Sequence, residues 1–159
     1  MEWLHLTMNA MSVSLVCVDT STFVYAHTEQ DDEKKVACLD WLVALTNREL
    51  QRSSLQVANE FSNVLLRKMK AVPSVVVYRL ADGIIEMGGF NAGISTIRLC
   101  RDVKHETSYS YWDCLLLASA VELGCSHFLS EDMQAGRTVM GVTIINPMVT
   151  SPQEILGLN

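Results

Sequence analysis

Short β-branched runs that close on turn residues, separated by stretches with apolar residues every three or four positions, leave this chain few ways to fold. Val13 to Val18 reads as a buried strand ending at Asp19, with Thr20, Ser21 and Thr22 behind it as turn and cap residues. An Asp at that place is most often a helix cap. A short helix is expected over Phe23 to Ala26, and a second over Glu33 to Leu45 behind the acids Asp31, Asp32 and Glu33. Val36, Leu39, Leu42, Val43 and Trp41 are its candidates for the inward face. Leu50 to Ser53 reads as a brief strand, and Ser53 or Ser54 caps a helix to about Met69 carrying Val57, Phe61, Val64 and Leu65. Pro73 suits a first helical turn. The run from Val75 to Tyr78 is ambiguous, but apolar spacing out to Ile84 and Ile85 favours helix, stopped by Gly88 and Gly89. Further helices are expected over Ile94 to Val103 and Tyr109 to Glu122, the second capped by Ser108 or Ser110 and stopped at Gly124. Strands are expected over Ser126 to Ser130 and Val142 to Ile145. Strands alternating with helices imply an α/β fold, a mostly parallel sheet covered on both faces.

The chain has 159 residues, enough for one domain with a real core. Residues 1–11 read as an N-terminal tail without the pattern of a signal peptide, 12–150 as the domain and 151–159 as a C-terminal tail. No apolar run reaches the roughly 18 residues of a membrane span. Cys17, Cys38, Cys100, Cys114 and Cys125 sit among apolar neighbours and read as small buried hydrophobes in a reducing cytoplasm, not as a disulfide frame or zinc site. The histidines His5, His27, His105 and His127 lack a ligand spacing. The net charge of −6 counts against a nucleic-acid partner unless part of the acid is gathered in one place. Local basic clusters exist at Arg67, Lys68 and Lys70 and at Arg98, Arg101 and Lys104; each alone reads as a solvated helix face.

The acids are informative by position. Asp19 follows one strand directly, and Asp132 follows another by two residues, so both belong at the carboxyl edge of the sheet. Glu60 and Asp113 interrupt apolar helical stretches, where an unpaired charge is expensive to bury. Carboxylates converging on one cleft repel each other unless a cation offsets them, and hard oxygen donors suit Mg²⁺ or Mn²⁺. Such a site fits phosphoryl-transfer chemistry. The other acids read as surface charge.

Four blocks resemble the PIN-domain family, of the branch that includes VapC-type toxins. They are VDTSTFVYA at Val18 to Ala26, SSLQVANEFSNVLLRK at Ser53 to Lys68, SYSYWDCLLLASAVELGC at Ser108 to Cys125, and FLSEDMQAG at Phe128 to Gly136 followed by INP at Ile145 to Pro147. The resemblance implies a three-layer α/β/α sandwich and a metal-dependent endoribonuclease in which metal-activated water cuts RNA. It assigns Asp19, Glu60 and Asp113 as metal ligands and Asp132 as a more variable fourth, with Glu131 ranked below it and Ser130 supporting the site. The family has Asn where this chain has Ser21, which can still donate to a neighbouring carboxylate from a shorter reach. Arg67 or Lys68 would hold the RNA backbone. Tyr111 and Trp112 could stack on bases, although core packing is the expected role of Trp112. The same resemblance implies a small antitoxin partner, and a homodimer for which the stretch from Val75 to Ile85 could supply a face unless it is core.

Two readings from other classes compete. One is a PIN-like RNA-binding or interaction module without catalysis; such members lose acids, and all four are present here. The other is a phosphatase of the haloacid dehalogenase kind, which needs a second Asp two residues after the first, where this chain has Ser21.

Overall fold

The computed structural model describes residues 14–28 and 32–157. The expected tail at residues 1–11, the strand start at Val13, Asp31 at the head of the second helix and the last two residues lie outside them. Among the described residues there are six strands and seven helices. In chain order they are β1 (Val16–Val18), α1 (Thr20–His27), α2 (Asp32–Thr46), β2 (Gln51–Ser54), α3 (Leu55–Lys68), α4 (Ser74–Glu86), β3 (Gly89–Phe90), α5 (Ile94–Glu106), α6 (Tyr111–Glu122), β4 (His127–Leu129), β5 (Thr138–Val139), β6 (Val142–Ile145) and α7 (Pro152–Leu156).

The sheet order is β3-β2-β1-β4-β6-β5. All neighbouring strands run parallel except β5, which lies antiparallel to β6 at one edge. From β1 the chain winds outward through α1 and α2 to β2, and through α3 and α4 to β3. It then returns through α5 and α6 to β4 on the other side of β1. With right-handed crossovers, the two windings cover opposite faces of the sheet. The result is the expected α/β fold with a mostly parallel central sheet. The direction reverses between β1 and β4, which pair Val18 with Leu129. A crevice opens there at the carboxyl ends of the strands.

Both central strands are apolar on both faces, as a sheet covered twice requires: Val16, Cys17 and Val18 are buried, as are Phe128 and Leu129. Trp41, Phe23, Phe61, Leu45, Leu65 and Leu117 fill the layers on either side. All five cysteines are buried within this core.

Several expectations need correction. The inward face of α2 is Cys38, Trp41 and Leu45, while Val36 and Val43 are 57% and 56% exposed and Leu39 is also exposed. Trp41 decides this: its indole Nε1 donates to the Thr150 carbonyl at 2.8 Å, which turns the helix onto that stripe. Residue 112 is not core either, for Trp112 is 63% exposed. It sits in the first turn of α6, ahead of the part that crosses the sheet, and the buried residues of that helix begin at Cys114. In α4, Val77, Ala81 and Ile84 point inward, whereas Val75, Val76, Tyr78 and Ile85 are exposed, so the ambiguous stretch is core on one side and surface on the other. Two short strands escaped the sequence. β3 follows Gly88, whose φ of +115° admits only a residue without Cβ beside the Gln51 carbonyl. β5 and β6 are joined by Met140 and Gly141, both at positive φ, a two-residue hairpin connection. Within the expected C-terminal tail, α7 forms and buries Pro152. No helix of the described residues is long and apolar enough to cross a membrane.

Candidate acidic active site

Asp19 is where the backbone leaves β1, and it is both cap and cleft acid. Its extended backbone (φ −77°, ψ 158°) makes it the N-cap of α1, and its Oδ1 accepts from the Thr20 amide at 2.6 Å. Its other oxygen, Oδ2, accepts from the Ser130 hydroxyl at 2.8 Å, across from the neighbouring strand. The Ser130 hydroxyl in turn accepts from the Asp132 amide at 3.2 Å, so one buried serine ties the first acid to the turn that carries the fourth.

Glu60 lies on α3, six residues past the Ser54 cap. Its Oε2 accepts from the Thr20 hydroxyl and its Oε1 from the Gln56 side-chain amide, both at 2.8 Å. Asp113 stands in the first turn of α6, where the helix dipole favours a negative charge. The cap is Ser110, not Ser108. Its hydroxyl accepts from the Asp113 amide at 3.1 Å and donates to Asp113 Oδ2 at 2.7 Å.

These four acids come from four separate elements and line one cleft of about 310 Å³, together with Thr20, Ser21, Val24, Tyr25, Val64, Lys68 and Leu116. Burial pushes the Asp19 carboxyl up to about 6, with Asp132 and Asp113 adding to the rise, against the lowering effect of the donors Ser130 and Thr20. Asp132 is also raised, by burial first and then by Glu131 and Asp113. Among the described residues, no three His, Cys, Asp or Glu side chains stand close enough together to cage an ion as they are. The donor set nevertheless fits a hard divalent cation: it is all carboxylate oxygen, open to solvent on one side, with two of its members raised by burial first and by neighbouring carboxylates second.

Of the remaining candidates, Lys68 reaches the cleft wall, but Arg67 does not line it; its Nε donates to the Asn63 carbonyl on its own helix at 3.3 Å. Ser21 lines the cleft, yet its buried Oγ has no hydrogen-bond partner among the described residues, so it does not donate to any of these carboxylates. Thr20, one residue earlier, makes the contact to an acid that was expected of Ser21. Thr20 and Gln56 were not singled out in the sequence. Their only signal was proximity: a hydroxyl beside Asp19, and an amide one helical turn before Glu60.

Fold and cleft together define a doubly wound α/β protein with an acidic site at the switch point of its parallel sheet. The chain belongs to the PIN domain family, whose model matches residues 16–138. No curated protein matches it in sequence. Three solved structures share the fold at low identity. A toxin–antitoxin complex from Klebsiella pneumoniae is 14% identical, with a TM-score of 0.59 over 83% of this chain and 97% of that one. VapC20 from Mycobacterium tuberculosis, described as a sarcin-ricin loop cleaving toxin, is 17% identical, with a TM-score of 0.56 over 79% and 97%. VapBC2 from Rickettsia felis, bound to a DNA fragment from its promoter, is 12% identical, with a TM-score of 0.60 over 82% and 96%.

Proposed function

We propose that this PIN-domain protein is a divalent-metal-dependent endoribonuclease and the toxin of a toxin–antitoxin pair. The observation that carries the reading is the convergence of Asp19, Glu60, Asp113 and Asp132 from four elements on one cleft at the switch point. These carboxylates would hold Mg²⁺ or Mn²⁺. When bound, such an ion neutralises charge developing on a scissile phosphate and lowers the pKa of water. The chain's own part is to fix the carboxylates. Ser130 and the Thr20 amide hold both oxygens of Asp19, Thr20 and Gln56 hold Glu60, and Ser110 holds Asp113. Lys68 at the cleft wall supplies a cation for the RNA backbone. The exposed rings of Tyr111 and Trp112, beside Asp113, offer a stacking surface for a base.

The partner side of the reading rests on the named company of the structural relatives and on unpaired apolar surface. The exposed faces of α2 (Val36, Leu39, Val43) and α4 (Val75, Val76, Tyr78) suit an antitoxin or a second copy of the chain. Five buried free thiols agree with the reducing cytoplasm.

The spacing of the carboxylates, too open to cage an ion unaided, favours one second reading: a PIN module that binds RNA or protein without cutting. The deciding experiment is cleavage of a labelled structured RNA with Mn²⁺ or Mg²⁺, with EDTA, and with Asp19→Asn, alongside calorimetric Mn²⁺ titration. Cleavage that needs metal and vanishes in the variant is expected. Absence of Mn²⁺ binding by the wild type would overturn the nuclease in favour of the module.

A further inference from the structure

The turn after β4 carries two adjacent carboxylates, and only one lines the cleft. Asp132 does; Glu131 does not. Glu131 Oε1 is instead paired with the ammonium of Lys34, in the first turn of α2, at 2.5 Å. Lys34 has a second contact, on α1. Its Nζ lies 4.7 Å from the centre of the Tyr25 ring and donates to the Tyr25 hydroxyl at 3.4 Å. Tyr25 is itself a cleft residue on α1. One cation on α2, outside the cleft lining, thus joins α1 and the turn after β4, which both line it. The other oxygen of Glu131, Oε2, is buried without a hydrogen-bond partner among the described residues. A buried carboxylate oxygen with nothing to accept from is drawn to any cation within reach.

We infer that Lys34 is a positioning residue that keeps Glu131 out of the acid cleft, so that Asp132 is the carboxylate the turn presents there. The inference rests on the metal-dependent reading above. Without the ammonium, a fifth carboxylate beside the cluster is uncompensated and competes with Asp132 for the same ion. Metal then binds more tightly but in the wrong company.

The test is Mn²⁺ titration by calorimetry on the full chain without RNA, for wild type, Lys34→Met, Lys34→Arg, Glu131→Gln and the double variant Lys34→Met/Glu131→Gln, with RNA cleavage as a second readout. Lys34→Met is expected to tighten Mn²⁺ about fivefold through the unbalanced charge and to slow cleavage about tenfold. Glu131→Gln shifts Mn²⁺ affinity the other way, and Lys34→Arg behaves as wild type. The double variant returns both readouts to within about twofold of wild type, because the carboxylate that needed restraint is gone. A Lys34→Met variant with wild-type Mn²⁺ affinity overturns the inference. So does a double variant that keeps the full cleavage defect, since Lys34 would then act on RNA directly. A wild type that binds no Mn²⁺ fails in its own arm, and that outcome removes the nuclease reading and this inference together. Wild-type binding with no change across the variants removes this inference alone.

Discussion

The two ends of β2 treat buried polar groups in opposite ways. At the carboxyl end, Ser53 donates to the Val18 carbonyl and Ser54 caps α3, accepting from the Val57 amide at 3.3 Å. Beyond them both carboxylate oxygens of Asp19 and both of Glu60 are held by donors. At the other end, Gln51 is 2% exposed, and neither atom of its amide has a partner among the described residues. Around it lies a largely apolar groove of about 380 Å³, walled by Leu39, Leu42 and Val43 of α2, Leu80 and Ile84 of α4, and Met87 just past the end of α4. One end is arranged in advance for charge. The other is an apolar surface with an unsatisfied amide at its base, which gains from being covered. The acid end has its own exceptions, since the buried hydroxyls of Ser21, in the cleft, and of Thr22, next to it on α1, have no hydrogen-bond partner among the described residues.

The sharpest break in this comparison is Asp19→Asn. A supporting residue around a metal ligand is worth about ten- to a hundredfold in activity, so loss of the ligand itself should cost more than about a hundredfold in cleavage. Circular dichroism should show the fold intact, because Asn still caps α1. Residual cleavage near the wild-type rate would remove Asp19 from the site.

The charge arrangement also has a signature in stability. Asp19 stands at about 6 in the fold against an ordinary 3.8. The folded state therefore holds the proton more tightly than the unfolded chain. The stability this contributes is fully present below about pH 4 and is lost as pH rises through about 6, for a total of up to about 3 kcal/mol in metal-free protein. Urea midpoints at pH 4 and pH 7 measure it. The decline should disappear in Asp19→Asn and shrink when Mn²⁺ is present. A metal-free protein whose Asp19-dependent stability rises over that window would contradict the burial of its carboxyl among other acids.

Ser130→Ala is a smaller cut at the same end. Ser130 is fully buried and serves both Asp19 and the turn of Asp132. Its loss leaves one oxygen of Asp19 without a donor, at a cost of about 1–3 kcal/mol in stability, and cleavage should fall about tenfold. Ser130→Thr keeps the hydroxyl and should recover part of both.

How much of this was legible in the sequence follows the same division. The acids could be read as candidates from position, since a charge inside an apolar pattern is an exception (Asp19 after β1, Glu60 and Asp113 inside apolar helices), but it was the family resemblance that joined them into one site. The supporting donors Thr20 and Gln56 could not, since hydroxyls and amides are unremarkable in any sequence and gain meaning only when distant elements meet, as Thr20 and Glu60 do across forty residues. Which face of α2 turns inward was misread for a similar reason. Apolar residues occupy more than one side of that helix, and a tertiary contact, Trp41 to Thr150, selects among them. β3 and β5, two residues each, are too short to show a period.

The mildest test addresses the uncovered end. Gln51→Leu replaces an unpaired buried amide with an apolar side chain of similar size at the base of that groove. Removing a polar group that makes no hydrogen bond recovers its desolvation cost, so the variant should be more stable by about 1–2 kcal/mol in urea unfolding. Cleavage should stay within about twofold of wild type, because Gln51 begins β2 and the acids lie past its far end. A loss of stability of the same size would mean that the amide already has a polar partner, and the contrast between the two ends of the strand would fall with it. A gain in stability with a drop in cleavage would mean that the ends are coupled through the strand, so that covering the groove becomes a way to alter the cleft.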